Sequence, residues 1–174
     1  YFMSCIVNKS KDENEYECCR GEDIPFFLNE KYDSMFSVNE CYNSSIRGGK
    51  IVSCGKNFWD PRSEEEYNNT SCNTHIRYTP RQFRPIFITI HDSENIIFKD
   101  IILEDAPVYS VLAVRCSNLT FKRITILNDF YGPNTDGIHI SSSINTKIED
   151  CTFVTGDDSI AIDCDSGGTS DGLF

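Results

Sequence analysis

One pattern recurs along this chain and limits what it can fold into. Asn95-x-x-Phe98-x-x-Ile101-x-Leu103, Asn118-x-x-Phe121-x-x-Ile124-x-Ile126 and Asn145-x-x-Ile148-x-x-Cys151-x-Phe153 carry it in full, and Asn43-x-x-Ile46 with Ile51 carries it in part. Short apolar runs accompany these segments at Phe36, Phe87, Leu112 and Ile138, and a further run begins at Ile160. The last three copies advance by 23 and then 27 residues. Short β-rich pieces at this period fit a solenoid, in which every coil adds a rung to parallel sheets. One coil alone leaves its apolar residues wet, whereas stacking buries Phe98, Phe121 and Ile148 in a single column. The recurring Asn predicts a side-chain hydrogen-bond ladder along one turn. The rival, a βαβ fold, needs helical patterns of ten or so residues between strands, and these are absent. The expected fold class is therefore all-β, a parallel β-helix.

The helix is expected over residues 36–174. Residues 1–35, Cys-rich and weakly periodic, stand apart as an N-terminal cap or the remains of earlier coils. Residues 55–84 break the rhythm with Trp59, "SEEEY" and "NNTSCNTH". They are read as a long loop on one face, with "SEEE" a solvated turn. At 174 residues the chain suffices for one domain with a real core. It begins at Tyr1 and stops just after the loop-like "GGTSDGL", and is expected to be a piece of a longer protein.

Charge and cysteine content narrow the function classes. A net charge of −11 argues against nucleic acid as a partner, because phosphate binding needs clustered Lys and Arg. No apolar run approaches the ~20 residues of a membrane-spanning helix, and a monomer is expected. Six of the nine cysteines (Cys5, Cys18, Cys19, Cys41, Cys54 and Cys72) fall early, without the paired C-x-x-C spacing of a zinc site. Disulfides in a secreted protein are the better reading. Asn8, Asn43, Asn68, Asn69 and Asn118 each open an Asn-x-Ser/Thr triplet, consistent with a glycoprotein on the secretory route.

Three carboxylates sit where a strand former would serve the fold better. Asp136 lies two residues before Ile138, and Asp158 two before Ile160, so they hold equivalent places on successive coils, 22 residues apart. Strands are depleted in Asp, and adjacent strands lie ~4.8 Å apart, so the pair should face one another. Asp157 joins from an adjacent angle. On the preceding coil the equivalent position is read as Ser110. Carboxylates held this close repel and raise one another's pKa. Three readings stay open: paired acid and base for glycoside cleavage, calcium binding, or a structural turn.

"PNTDGIHI" with "TGDDSIAI" after it resembles the polygalacturonases of glycoside hydrolase family 28, right-handed parallel β-helix enzymes that cut pectin. "NSSIRGGKIVSCGKNFWDP" and "RPIFITIHDSENIIFKDIILEDAP" are similar to two earlier coils of that family, so the resemblance covers roughly residues 36–165. It implies an inverting hydrolysis of α-1,4-galacturonosyl bonds in homogalacturonan, without cofactor or metal. Asp157 would be the general acid, and Asp136 and Asp158 would activate the water. Asn134 and Gly156 match positions that shape the site. His139 would point outward near the substrate cleft. The family's Gly-His-Gly and Arg-Ile-Lys elements, a catalytic-site His and a cationic clamp, do not occur here, and His75 and His91 lie upstream and do not match. Either those coils follow Phe174, or the chain is a truncated β-helix that only binds polysaccharide or calcium. Rhamnogalacturonan or xylogalacturonan are the alternative substrates. The segment 55–84 could narrow one end of a cleft, which would favour exo action.

Overall fold

The computed structural model of the chain describes residues 34–69, 75–81 and 84–163. The proposed cap, residues 1–35, therefore lies almost wholly outside the described part. The described chain winds as successive coils. The first holds β1 (Ser34–Asn39), β2 (Tyr42–Arg47) and β3 (Lys50–Val52). An insertion follows, with β4 (Trp59–Pro61), the short helix α1 (Glu64–Asn69) and β5 (Tyr78–Pro80). The second coil holds β6 (Ile86–His91), β7 (Glu94–Lys99) and β8 (Ile102–Glu104), and the third β9 (Val111–Val114), β10 (Ser117–Lys122) and β11 (Thr125–Leu127). The fourth holds β12 (Ile138–Ser141), β13 (Ile144–Glu149) and β14 (Thr152–Val154), and β15 (Ile160–Asp163) opens a fifth.

Stacking places first strands on first strands: β1-β6-β9-β12-β15 form one parallel sheet, β2-β7-β10-β13 a second and β3-β8-β11-β14 a third. This is a right-handed parallel β-helix, the hand that parallel crossovers almost always take. The repeat supplies the register. Ile46, Phe98, Phe121 and Ile148 pair in one row, and Ile51, Leu103, Ile126 and Phe153 in another. Phe98 and Phe121 stack with ring centroids 5.5 Å apart, which adds aromatic attraction to their burial.

The recurring Asn has a backbone cause as well as a hydrogen-bonding one. Asn43, Asn95, Asn118 and Asn145 all take left-handed φ values, between 51° and 58°, a conformation that costs most L-residues about 1–2 kcal/mol and that Asn tolerates. Asn95 Nδ2 donates to Asn43 Oδ1 at 2.9 Å, and Asn145 Nδ2 donates to Asn118 Oδ1. The expected ladder is thus present in two steps. Between them Asn118 Nδ2 turns to Glu94 Oε1 at 3.4 Å. Two other left-handed corners, Asp92 and Asp100, accept bidentate bonds from Arg115 and Arg123 one coil on.

The insertion is more ordered than the expected long loop. β4 and β5 form an antiparallel pair, and "SEEE" begins a helix instead of a solvated turn. The reason is local: Ser63 Oγ accepts from Glu66 N at 3.2 Å while Glu66 Oε2 accepts from Ser63 N at 2.8 Å, a capping box. Trp59, buried, donates from Nε1 to Pro107 O at 2.8 Å and so seats the insertion on the turn between β8 and β9, one coil before Asp136.

Candidate active site

The entrances of β12 and β15 bring the acidic segments together. Ile138 pairs with Ile160, and Gly137 N donates to Asp158 O at 2.9 Å, so Asp136 and Asp158 are in register as the repeat predicts. On the preceding coil the sequence reading is corrected. Val111, not Leu112, pairs with Ile138, which puts Tyr109 in register with Asp136 in place of Ser110. All four residues of "VLAV" are buried, so apolarity alone does not set their phase. Val111 and Ala113 face the core, and Ser110 Oγ accepts from Asn128 Nδ2 at 2.7 Å.

The three carboxylates stand in different surroundings. Asp136 is buried, and Oδ1 has no hydrogen-bond partner among the described residues. Burial foremost, with the charges of Asp157 and Asp158, drives its pKa up against the opposing pull of His139. Asp157 is exposed, yet the atoms packed round its carboxyl and the charge of Asp158 raise its pKa as well, while His75 lowers it. Asp158 N donates to Asp157 Oδ1 at 3.1 Å, which holds the two side by side.

Glycine and buried polar groups fix these turns. At Gly156 a Cβ would lie 2.4 Å from Gly132 O and 2.6 Å from Thr135 Oγ1. The Gly156 N–H instead donates to Thr135 Oγ1 at 2.9 Å. Asn134, left-handed at φ 54°, accepts through Oδ1 from Arg84 Nη2 at 3.0 Å. The same buried arginine donates from Nη1 to Pro133 O at 2.7 Å. Asn134 and Gly156 thus shape the turns through backbone fit and internal bonds.

His139 departs in part from the sequence reading. It alternates with Ile138 and Ile140, which enter the core, so it does point away from the core, but it is only 5% exposed. Its Nε2 lies 2.7 Å from Asp163 Oδ2, its Nδ1 lies 3.6 Å from Asp136 Oδ2, and its ring centroid is 4.8 Å from that of Tyr109.

Several contributors escape sequence reasoning. His75, from the insertion, places Nε2 2.7 Å from Gly156 O and packs its ring on Phe130. Asn128, buried, donates to Thr135 O at 3.1 Å and accepts from Ala106 N. Arg84 and Asp163 complete the set. Each acts across coils or across the insertion, and no local spacing announces such a contact. Among the described residues no three His, Cys, Asp or Glu side chains are gathered so as to hold a metal ion. Of the cysteines, Cys41, Cys116 and Cys151 are free thiols, and Cys5, Cys18, Cys19, Cys72 and Cys164 lie outside the described residues.

Residues 27–169 match the model of glycosyl hydrolases family 28. The chain belongs to this family. A polygalacturonase from Nicotiana tabacum is 38% identical over 78 residues, 45% of this chain and 20% of that protein. One from Juniperus ashei is 31% identical over 114 residues, 66% of this chain and 21% of that protein. The chain thus spans about a fifth of the length of these curated relatives. A protein from Parabacteroides merdae assigned as a glycosyl hydrolase, with a crystal structure, shares the fold at TM-score 0.52 and 18% identity, over 86% of this chain and 67% of that one. The match takes in residues 36–165, over which the resemblance was drawn.

Proposed function

We propose that the protein carrying this chain is a secreted, inverting hydrolase of α-1,4-galacturonosyl bonds in pectin, acting without a cofactor. The observation that carries this reading is the register of two acidic turns at the entrance of adjacent strands, Asp136 opposite Asp158 with Asp157 beside them. Asp157, whose proton is favoured by its packing and by Asp158, gives that proton to the glycosidic oxygen as the bond to the leaving sugar breaks. Asp136 and Asp158 take a proton from the water that attacks the anomeric carbon from the opposite face. Raised pKa values suit this work, because a general acid must still hold its proton near the working pH.

The early cysteines and the Asn-x-Ser/Thr triplets support the secretory route. Of the triplets, Asn43 and Asn118 are the second residues of β2 and β10. The test is Asp157→Asn in the full-length protein. Release of reducing ends from polygalacturonate should fall by roughly 10²–10⁴-fold, with an unchanged circular dichroism spectrum. Undiminished release would overturn the assignment. A panel that adds rhamnogalacturonan and xylogalacturonan identifies the polymer.

A further inference from the structure

We propose that His139 and Asp163 form a proton exit for Asp136, carrying to solvent the proton that Asp136 removes from the attacking water. The proposal deepens the hydrolytic reading and rests on it. Asp136 is 5% exposed, so a proton it accepts has no direct route to bulk water. Its Oδ2 faces His139 Nδ1 at 3.6 Å, beyond hydrogen-bonding distance, and neither His139 Nδ1 nor Asp136 Oδ1 has a hydrogen-bond partner among the described residues. A fixed structural salt bridge would close that contact. On the far side the imidazole is closed, with Nε2 2.7 Å from Asp163 Oδ2. The Asp163 side chain is 41% exposed, so the row Asp136, His139, Asp163 runs from the buried base to the surface.

The other groups facing the imidazole suit transfer. The ring lies against Tyr109 from the segment before β9, and Asp157 and Asp158 bring further negative charge near Asp136 from the turn before β15. With its proton on Nε2, toward Asp163, the neutral imidazole turns the Nδ1 lone pair to Asp136 and can take a proton from it. Burial pushes the His139 pKa down, but the close Asp136 carboxylate, the hydrogen bond to Asp163 and the charge of both outweigh it and leave it raised.

The step balances. As water bonds to the anomeric carbon, its O–H electron pair stays on oxygen and its proton passes to Asp136. That proton then moves to His139 Nδ1 as the Nε2 proton leaves for Asp163 Oδ2, and solvent water takes it from there. Asp157, having given its proton to the leaving oxygen, recovers one from solvent. No group of the chain is consumed.

Two measurements test the relay and separate its failure from failure of the hydrolytic reading. The chain has three histidines, His75, His91 and His139, and His→Gln variants assign their Cε1–H signals by NMR. In this chain the His139 midpoint should move down in Asp163→Asn and again in Asp136→Asn, while His91 stays put. A His139 midpoint unmoved by Asp163→Asn overturns the relay. In the full-length protein Asp163→Asn should lower kcat roughly tenfold or more with KM unchanged and enlarge the solvent deuterium isotope effect, and Asp163→Glu should restore part of the rate. Wild-type kcat in Asp163→Asn, with activity lost in Asp157→Asn, overturns the relay and leaves hydrolysis standing. Wild-type activity in Asp157→Asn overturns both, and any shift of His139 then reports a structural ion pair.

Discussion

A methyl group on Gly156 would lie 2.4 Å from the carbonyl oxygen of Gly132. The obstacle is backbone, so it cannot rotate away. The turn carrying Asp157 would have to move instead. Gly156→Ala should therefore destabilise the chain by about 1–3 kcal/mol, the usual range for overpacking, read from denaturant midpoints. In the full-length protein it should also cut pectin hydrolysis at temperatures well below its melting point. A core change of similar cost far from the turn, such as Ile51→Ala, should spare the rate. Equal rates in the two variants would mean that the Gly156 turn does not position the acid.

Opposed shifts among the acidic groups set the pH dependence of stability. Asp136, Asp157 and His139 all have raised pKa values. Their contribution is present below the unfolded-state values and is lost as pH rises through the folded ones. Asp92 and Asp100 are lowered, chiefly by hydrogen bonds from Arg115 and Arg123. Their contribution is present above the ordinary carboxylate value of about 4 and is lost as pH falls below it. The melting temperature should therefore peak on the acid side of neutrality. Asp157→Asn should raise it at pH 7, since a charge that burial and Asp158 disfavour is gone. Thermal scans from pH 3 to 8 check both statements, and a lower melting temperature for Asp157→Asn at pH 7 refutes the second.

The sheets were legible in the sequence because their cause is periodic. Ile46, Phe98, Phe121 and Ile148 recur at matched offsets from an Asn, and equal offsets from Ile138 and Ile160 bring Asp136 opposite Asp158. The phase of "VLAV" was not legible, because Leu112 is as apolar as its inward-facing neighbours. The helix after Ser63 carried a local signal, Ser63-x-x-Glu66, that was outweighed by the evident solubility of "SEEE". His75, Arg84 and Asn128 lie beyond what any local pattern holds. Their role comes from chain segments folded back across coils, and only the stacked turns show which carbonyl each one meets.

The Asn ladder separates two effects that usually travel together. Asn95 holds a left-handed φ of 58° and donates to Asn43 Oδ1. Asn95→Gly keeps the conformation accessible and loses only the hydrogen bond, worth about 1 kcal/mol. Asn95→Ala loses that bond and adds about 1–2 kcal/mol of backbone strain. Urea denaturation should rank wild type above Asn95→Gly, and Asn95→Gly above Asn95→Ala. If the alanine variant proves the more stable, the left-handed corner is not what selects Asn in this repeat.

His75 gives the insertion a stake in the acidic site. Its Nε2 is 2.7 Å from Gly156 O, one residue before Asp157, and its charge lowers the Asp157 pKa. His75→Gln keeps a donor but removes the charge, whereas His75→Leu removes both. The Asp157 midpoint, followed by carboxyl carbon NMR, should rise in both variants. Stability should fall by about 1–3 kcal/mol in His75→Leu alone, the cost of leaving a carbonyl without its partner. Should Asp157 titrate as in wild type in both variants while only stability changes, His75 is a strut for the Gly156 turn and not an electrostatic partner of the acid.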